Sequence, residues 1–149
     1  MIRQKGMYTM RYILTFKTSF QESTDYDYPR GYSICKFLET ELARAGFNVH
    51  PLDNYCDIAW SVDCDINSKR VFFFVGYLGT KVTDWQLIIC SNIRLIGWIL
   101  GRKDEDERLK LAKAIHAILS RDGRFSDIKW FSRYTDNPKD IWTPEPEDA

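Results

Sequence analysis

No run of about 18 uncharged apolar residues occurs in the chain, so nothing in it reads as a membrane-spanning helix. Histidine is scarce: His50 and His116 are the two present. Neither has a cysteine, a second histidine or a carboxylate at metal-ligand spacing, so no metal site is expected. The four cysteines, Cys35, Cys56, Cys64 and Cys90, form no Cys-x-x-Cys pair that would bind zinc or cycle redox. Net charge is lacking too. The 21 Lys and Arg residues balance the 21 Asp and Glu residues, so no overall basic field draws the chain to nucleic acid or to anionic lipid. The sequence holds no Gly-x-Ser-x-Gly elbow and no dinucleotide fingerprint. Tyr77-Leu78-Gly79-Thr80-Lys81 lacks the earlier glycine of a phosphate-binding loop. No catalytic residue and no cofactor are therefore expected.

What is present fits one α+β domain. A chain of 149 residues is of single-domain size and buries roughly 70% of its extended surface on folding, enough for a core without staples. Hydrophobic residues make up 44% and charged residues 28%, but aromatics reach 15%, with five Trp, eight Tyr and nine Phe. That surplus of rings suggests that some face a partner. Regular patterning begins at Arg11, so residues 1–10 are expected to be a flexible N-terminus, 11–132 the domain, and 133–149 an acidic tail with Pro138, Pro144 and Pro146. In that tail Trp142 is expected to pin the chain down. Residues 1–10 hold no apolar segment of signal-peptide length, which predicts a cytoplasmic protein.

Arg11 to Lys17 is rich in β-formers and reads as a strand. Between Tyr32 and Ala45, the residues Ile34, Phe37, Leu38, Leu42 and Ala45 recur at helical steps, with Gly46 in the C-cap position. Phe47 to Val49 is a short strand and His50 to Asn54 a turn around Pro51. Asp84 to Ser91 is apolar on both sides, as a central strand covered on both faces would be. Asn92 to Gly101 fits neither period and could be strand, helix or packed loop. Asp104 and Glu107 resemble a capping box for a second helix, which carries Leu111, Ala112, Ile115, Ile118 and Leu119 and stops at Asp122-Gly123. Asp127 to Ser132 reads as the last strand. The expected order is β-α-β-β-β-β-α-β, a mainly antiparallel sheet of five to six strands flanked by two helices.

Tyr55 to Ile66 carries the clearest alternation. Cys56, Ile58, Trp60, Val62, Cys64 and Ile66 fall on one face, and Asp57, Ala59, Ser61, Asp63 and Asp65 on the other. On such a strand Cys56 and Cys64 lie roughly 26 Å apart, too far for a disulfide. A two-residue turn at Asn67-Ser68 would pair Asp65 with Arg70, Cys64 with Val71, Asp63 with Phe72, Val62 with Phe73, Ser61 with Phe74 and Trp60 with Val75. Phe72 and Phe74 would then stand beside the aspartates. Three readings of that face remain open: a solvated acidic strand face, an aromatic and acidic recognition surface, or a second half of the core beneath the helices.

The helix-strand unit from Gly31 to Val49, the Asp57-x-x-Trp60 strand, the Trp85 strand and Trp130 together resemble small bacterial proteins of the toxin-immunity type, guarding against polymorphic or contact-dependent toxins. The resemblance covers about residues 11 to 132 and fixes no site residues. It implies a cytoplasmic protein that blocks one toxin by tight association. Such proteins often present acidic surfaces to basic nucleases, and the neutral total charge departs from that pattern. The expected function is therefore protein binding, with Asp57, Asp63, Asp65, Phe72, Phe74 and Trp142 as partner-binding residues. Two alternatives stand beside it. One is a small enzyme or metabolite-binding protein using the strand aspartates, and the other is a self-assembling module; monomer and homodimer are both open.

Overall fold

Apolar and polar residues alternate from Trp60 to Ile66, and at Asn67-Ser68 the chain reverses. The computed structural model describes residues 11–20, 30–55, 58–77, 84–91, 105–132 and 142–147, with Asp84 by its backbone alone. Their elements are β1 (Ile13–Thr18), α1 (Tyr32–Arg44), β2 (Asn48–Val49), β3 (Asp53–Tyr55), β4 (Ala59–Ile66), β5 (Lys69–Tyr77), β6 (Asp84–Ser91), α2 (Glu105–Arg121) and β7 (Phe125–Phe131). The seven strands form one antiparallel sheet in the order β2-β4-β5-β6-β1-β7, with β3 beside β2 on the same flank of β4.

Asn67 and Ser68 have φ of 52° and 64°, the two left-handed residues of a type I′ turn, whose twist matches the strands it joins. All six pairs expected across the turn are found, from Asp65 with Arg70 to Trp60 with Val75. α1 ends as its glycine predicts. Gly46 is left-handed at φ 95°, its N–H donates to Ala43 O, and Phe47 N–H donates to Leu42 O, the two bonds of a Schellman cap. At the other end Gly31 stands at φ 112°, where an added Cβ would lie 3.3 Å from the Trp85 ring and 3.4 Å from the Val75 carbonyl.

Both helices pack on one side of the sheet. Ile34, Cys35, Leu38 and Leu42 of α1 and Leu111, Ala112, Ile115, Ile118 and Leu119 of α2 are buried. They share one core with Val62, Cys64, Val71, Phe73, Val75, Leu87, Ile89, Leu14, Phe16 and Trp130. β6 is interior, between β5 and β1, but the helices cover it only on the Trp85, Leu87 and Ile89 side, while Ile88 and Cys90 are half-buried on the other. Among the described residues no second layer covers that other side.

The flank of β4 corrects the sequence reading most. The expected long strand from Tyr55 is a tight hairpin: Ile58 N–H donates to Tyr55 O, and β3 pairs back along β4 through Asp53–Ser61, Asn54–Trp60 and Tyr55–Ala59. Ile58, expected in the core, is therefore at the turn and 65% exposed. β3 also supplies the strand that raises the count from the expected five to six to seven. Pro51 lies at the break between β2 and β3, because it offers no N–H to a ladder. Leu52 N–H turns instead to the Glu39 carboxylate of α1, 2.9 Å away. Cys56, Asp57 and Asn92 to Gly101 lie outside the described residues.

Asp104, one half of the expected capping box, lies outside the described residues, while Glu107, the other half, is 4% exposed and paired with Lys69 Nζ at 2.9 Å. Its burial raises the carboxyl pKa, and the Lys69 hydrogen bond with others outweighs that, leaving it below the ordinary value. In the expected tail, residues 142–147 are held against the sheet. Thr143 exchanges both backbone hydrogen bonds with Trp130, and Pro146 O accepts from Arg11 N–H. Trp142 itself is 44% exposed, with Lys129 Nζ 5.2 Å from its ring centre; its neighbours do the pinning.

The two backbone sites predict opposite effects. Ser68→Gly relieves a left-handed non-glycine residue in the turn and should raise stability by about 0.5–1 kcal/mol. Gly31→Ala introduces the same penalty and a close contact with Trp85, and should lower stability by about 1–2 kcal/mol or more. Urea unfolding of the two variants checks both signs.

Candidate functional site: the open face of the sheet

Register decides what lies on the face away from the helices. The pairs Ser61–Phe74, Phe74–Ile88, Ile88–Ile13 and Ile13–Phe131 draw one row across five strands, about 19 Å from end to end at the usual strand spacing. A second row runs from Asp63 through Phe72 to Cys90, and a third from Gly76 through Gln86 and Thr15 to Lys129. Phe72, Phe74, Ile88, Cys90 and Phe131 are each half-buried, whereas Ser61 and Ile13 of the first row are buried, 8% and 9% exposed. Among the described residues no helix packs on this face. Tyr55 lays its ring flat on Phe74, with centroids 5.1 Å apart and planes 2° from parallel.

At the β2 end of the face the aspartates are already engaged. Arg70 donates from Nε to Asp65 Oδ1 at 2.7 Å and from Nη1 to Asp63 Oδ2 at 3.1 Å. His50, carried across from β2, brings Nε2 to 2.7 Å from Asp65 Oδ2. A carboxylate can only accept, so the proton of that bond sits on Nε2. Asn48 Nδ2 lies 3.5 Å from the same oxygen. The His50 hydrogen bond, then that of Arg70, holds the Asp65 carboxyl below its usual range, against a smaller opposing effect of desolvation. The same two aspartates make Arg70 still harder to deprotonate. Beneath them, Cys64 faces the core, and burial first, then the Asp63 and Asp65 charges, push its thiol up to about 12, with Arg70 opposing. A thiol so placed stays protonated and unreactive at neutral pH.

The opposite end of the face carries a smaller charged group, Lys17 and Lys129 around Asp127 at 3.9 and 3.6 Å. The open face is thus an apolar, aromatic band between two sets of paired charges. Such a surface can bury rings against a partner and orient it by charge, whereas its carboxylates are braced by cations of the same chain. Among the described residues no group of three or more His, Cys, Asp or Glu side chains is placed to hold a metal ion, and no helix is long and apolar enough to cross a membrane.

The structure brings Asp63, Asp65, Phe72 and Phe74 together as the register predicts, places Trp142 beyond β7 on the C-terminal segment, and leaves Asp57 outside the described residues. Sequence reasoning missed Tyr55, Ile13, Ile88, Phe131, His50 and Arg70 as members of the face. The signal for Arg70 was present, since the expected register already set it opposite Asp65. No signal of short range announces His50, which arrives from a separate strand. Comparison with protein-family models, with curated proteins and with solved structures finds no match to this chain.

The brace makes a titration prediction. Asp65 titrates below the ordinary 3.8, so its contribution to stability is present above that pH and is lost as the pH falls through the lowered value. His50→Ala removes the leading cause and should move the Asp65 midpoint up toward the ordinary value. Carboxyl-carbon NMR titration reads this directly, and an unmoved midpoint would show that the His50 contact is not made in solution.

Proposed function

We propose that the chain is a protein-binding module whose open sheet face docks one partner, and that it acts in the cytoplasm as an immunity or antitoxin-like inhibitor that neutralises a toxin by occluding it. The observation that carries the binding reading is the set of half-buried apolar residues Phe72, Phe74, Ile88 and Phe131, brought together by the sheet register on the side where no described helix packs. The inhibitor reading rests on the resemblance to toxin-immunity proteins in the Gly31-to-Val49 unit and the placement of Trp60, Trp85 and Trp130.

Size bears on how the face is used. Five strands at about 4.8 Å and six residues at about 3.3 Å give a footprint of roughly 480 Å², against about 800 Å² that each side contributes to a stable interface. The band alone is too small. The Tyr55 rim and the ionic cluster of Asp63, Asp65, Arg70 and His50 must take part, as a polar border around aromatic anchors. Because Arg70 already meets both aspartates, a cationic group of the partner gains by displacing or extending that network. The charges therefore serve orientation and encounter more than affinity.

Asp63→Lys with Asp65→Lys would set three cations side by side with Arg70 and would disturb the fold as well as the face. The cleaner test truncates the anchors. In Phe72→Ala with Phe74→Ala, a partner isolated with the wild-type chain should bind at least about 100-fold more weakly, the loss of two modest hot spots. Lys36→Ala, on the outer side of α1, should bind as wild type. Calorimetry with the purified partner gives both values, and equal affinity in all three proteins would remove the open face from the interface. Expression of that partner alone in the cytoplasm should arrest growth, and co-expression of this chain should restore it. A harmless partner would leave a binding module but end the inhibitor reading.

A further inference from the structure

The two charged corners of the open face stand in a relation that the register fixes. From Ile88, Asp63 lies two strands toward β2 and one row along, in the row of Phe72 and Cys90. Lys129 lies two strands the other way and one row along in the opposite sense, in the row of Gln86 and Thr15. At about 4.8 Å per strand and about 6.6 Å per row, each is about 12 Å from Ile88, on opposite sides of it. The corners also differ in sign. Around Asp63, two carboxylates, Asp63 and Asp65, meet the single guanidinium of Arg70, so with His50 uncharged this corner is net negative. Around Lys129, two ammonium groups, Lys17 and Lys129, meet the single carboxylate of Asp127, and this corner is net positive. The side chains of Asp63 and Lys129 remain 37% and 33% exposed, within reach of another molecule.

We propose that, in the absence of its partner, the open face closes on a second copy of this chain, about a two-fold axis that passes over Ile88 and runs across the diagonal from Asp63 to Lys129. This inference rests on the open face being the docking surface. The axis lies between the two faces and sets each Asp63 over Lys129 of the other copy, so the contact is made twice and closes at two chains. On the same grid Lys17 falls over Asp53 of the second copy, an exposed residue that its pairing with Ser61 places on the open side. Asp127 falls over His50, and Trp142 over Arg70, where a guanidinium meets an indole face. The strands of the two copies cross near right angles, one of the two ways in which sheets pack face to face.

The area suffices once the rims are included. From the flank of β2 and β3 to the segment at Thr143, seven stretches of chain lie side by side. About seven residues of each, at about 3.3 Å per residue and about 4.8 Å per strand, give a footprint of roughly 780 Å², close to the ~800 Å² that each side of a stable interface contributes. Tyr55 and Trp142, 39% and 44% exposed, bound the face at its two flanks, one against Phe74 and the other beside Lys129, and the second copy covers both. The apolar centre supplies affinity, while the diagonal charges select this one orientation over the others. The second copy and the toxin-like partner use the same residues, so each excludes the other and the partner complex holds a single copy of this chain.

Sedimentation equilibrium of the purified full-length chain tests the dimer. Between about 1 and about 100 μM the wild type should pass from the mass of one chain to that of two. Asp63→Lys or Lys129→Glu brings like charges together twice and should weaken the dimer about tenfold or more, while Asp63→Lys with Lys129→Glu should return it to within about threefold of wild type. A wild-type monomer at the highest concentration, or a double variant as weak as the singles, overturns the proposal. If a variant does not fold, the wild type decides by isotope-filtered NMR. In a mixture of methyl-labelled and unlabelled chains, the Ile88 methyl groups on the axis must show a contact with the other copy, and its absence excludes the two-fold. The partner reading fails separately, when Phe72→Ala with Phe74→Ala binds the purified partner as tightly as wild type.

Discussion

The reversal at Asn67 and Ser68 governs the molecule, because side chains on a strand change sides with every residue. With the turn where it is, Val62, Cys64, Val71 and Phe73 meet α1 and α2, while Asp63, Asp65, Phe72 and Phe74 face away. Turning β4 over by one residue would place Asp63 and Asp65 under the helices and Val62, Cys64 and Ile66 in water. Each buried, unpaired carboxylate would be costly enough to rule out that register. The left-handed turn and the hydrophobic pattern specify the same arrangement, and from it follow the positions of β6, β1 and β7 on one side and of β2 and β3 on the other.

That agreement explains what the sequence made legible. The β4–β5 register, the cap at Gly46 and the buried stripe of α2 are all local patterns, each written within a few residues. The open face was legible in half. Phe72 and Phe74 follow from the hairpin, but Ile13 and Phe131 join them only because β1 lies between β6 and β7, an ordering that no local period encodes. His50 is a similar case, since its partner is 15 residues away on a neighbouring strand. The hairpin hidden within Tyr55 to Ile66 was misread because Cys56, Asp57 and Ile58 continue the alternation of β4. Nothing in the pattern marks a reversal that lacks a glycine or proline.

The two faces of the sheet use aromatic residues differently. On the helix side Trp130 and Phe16 are wholly enclosed and Phe125 nearly so, with Phe16 and Phe125 meeting edge to face. There they supply bulk to a core that needs no disulfide. On the open side Tyr55 and Phe74 stack flat near the rim. A ring pair of this kind presents broad apolar area with little rotamer freedom left to lose on association. The ionic brace beside it is similarly fixed, because His50 and Arg70 hold Asp65 and Asp63 in place.

The broken strand at Pro51 bears on how the protein behaves when crowded. An edge with two and then three residues of ladder, interrupted by a proline and tied sideways to Glu39, is a poor template for another chain. The far edge is occupied by the segment at Thr143, which pairs with Trp130. Filament growth through unlimited strand addition is thus discouraged at both ends of the sheet. Face-to-face contact, by contrast, would saturate at two copies and not propagate.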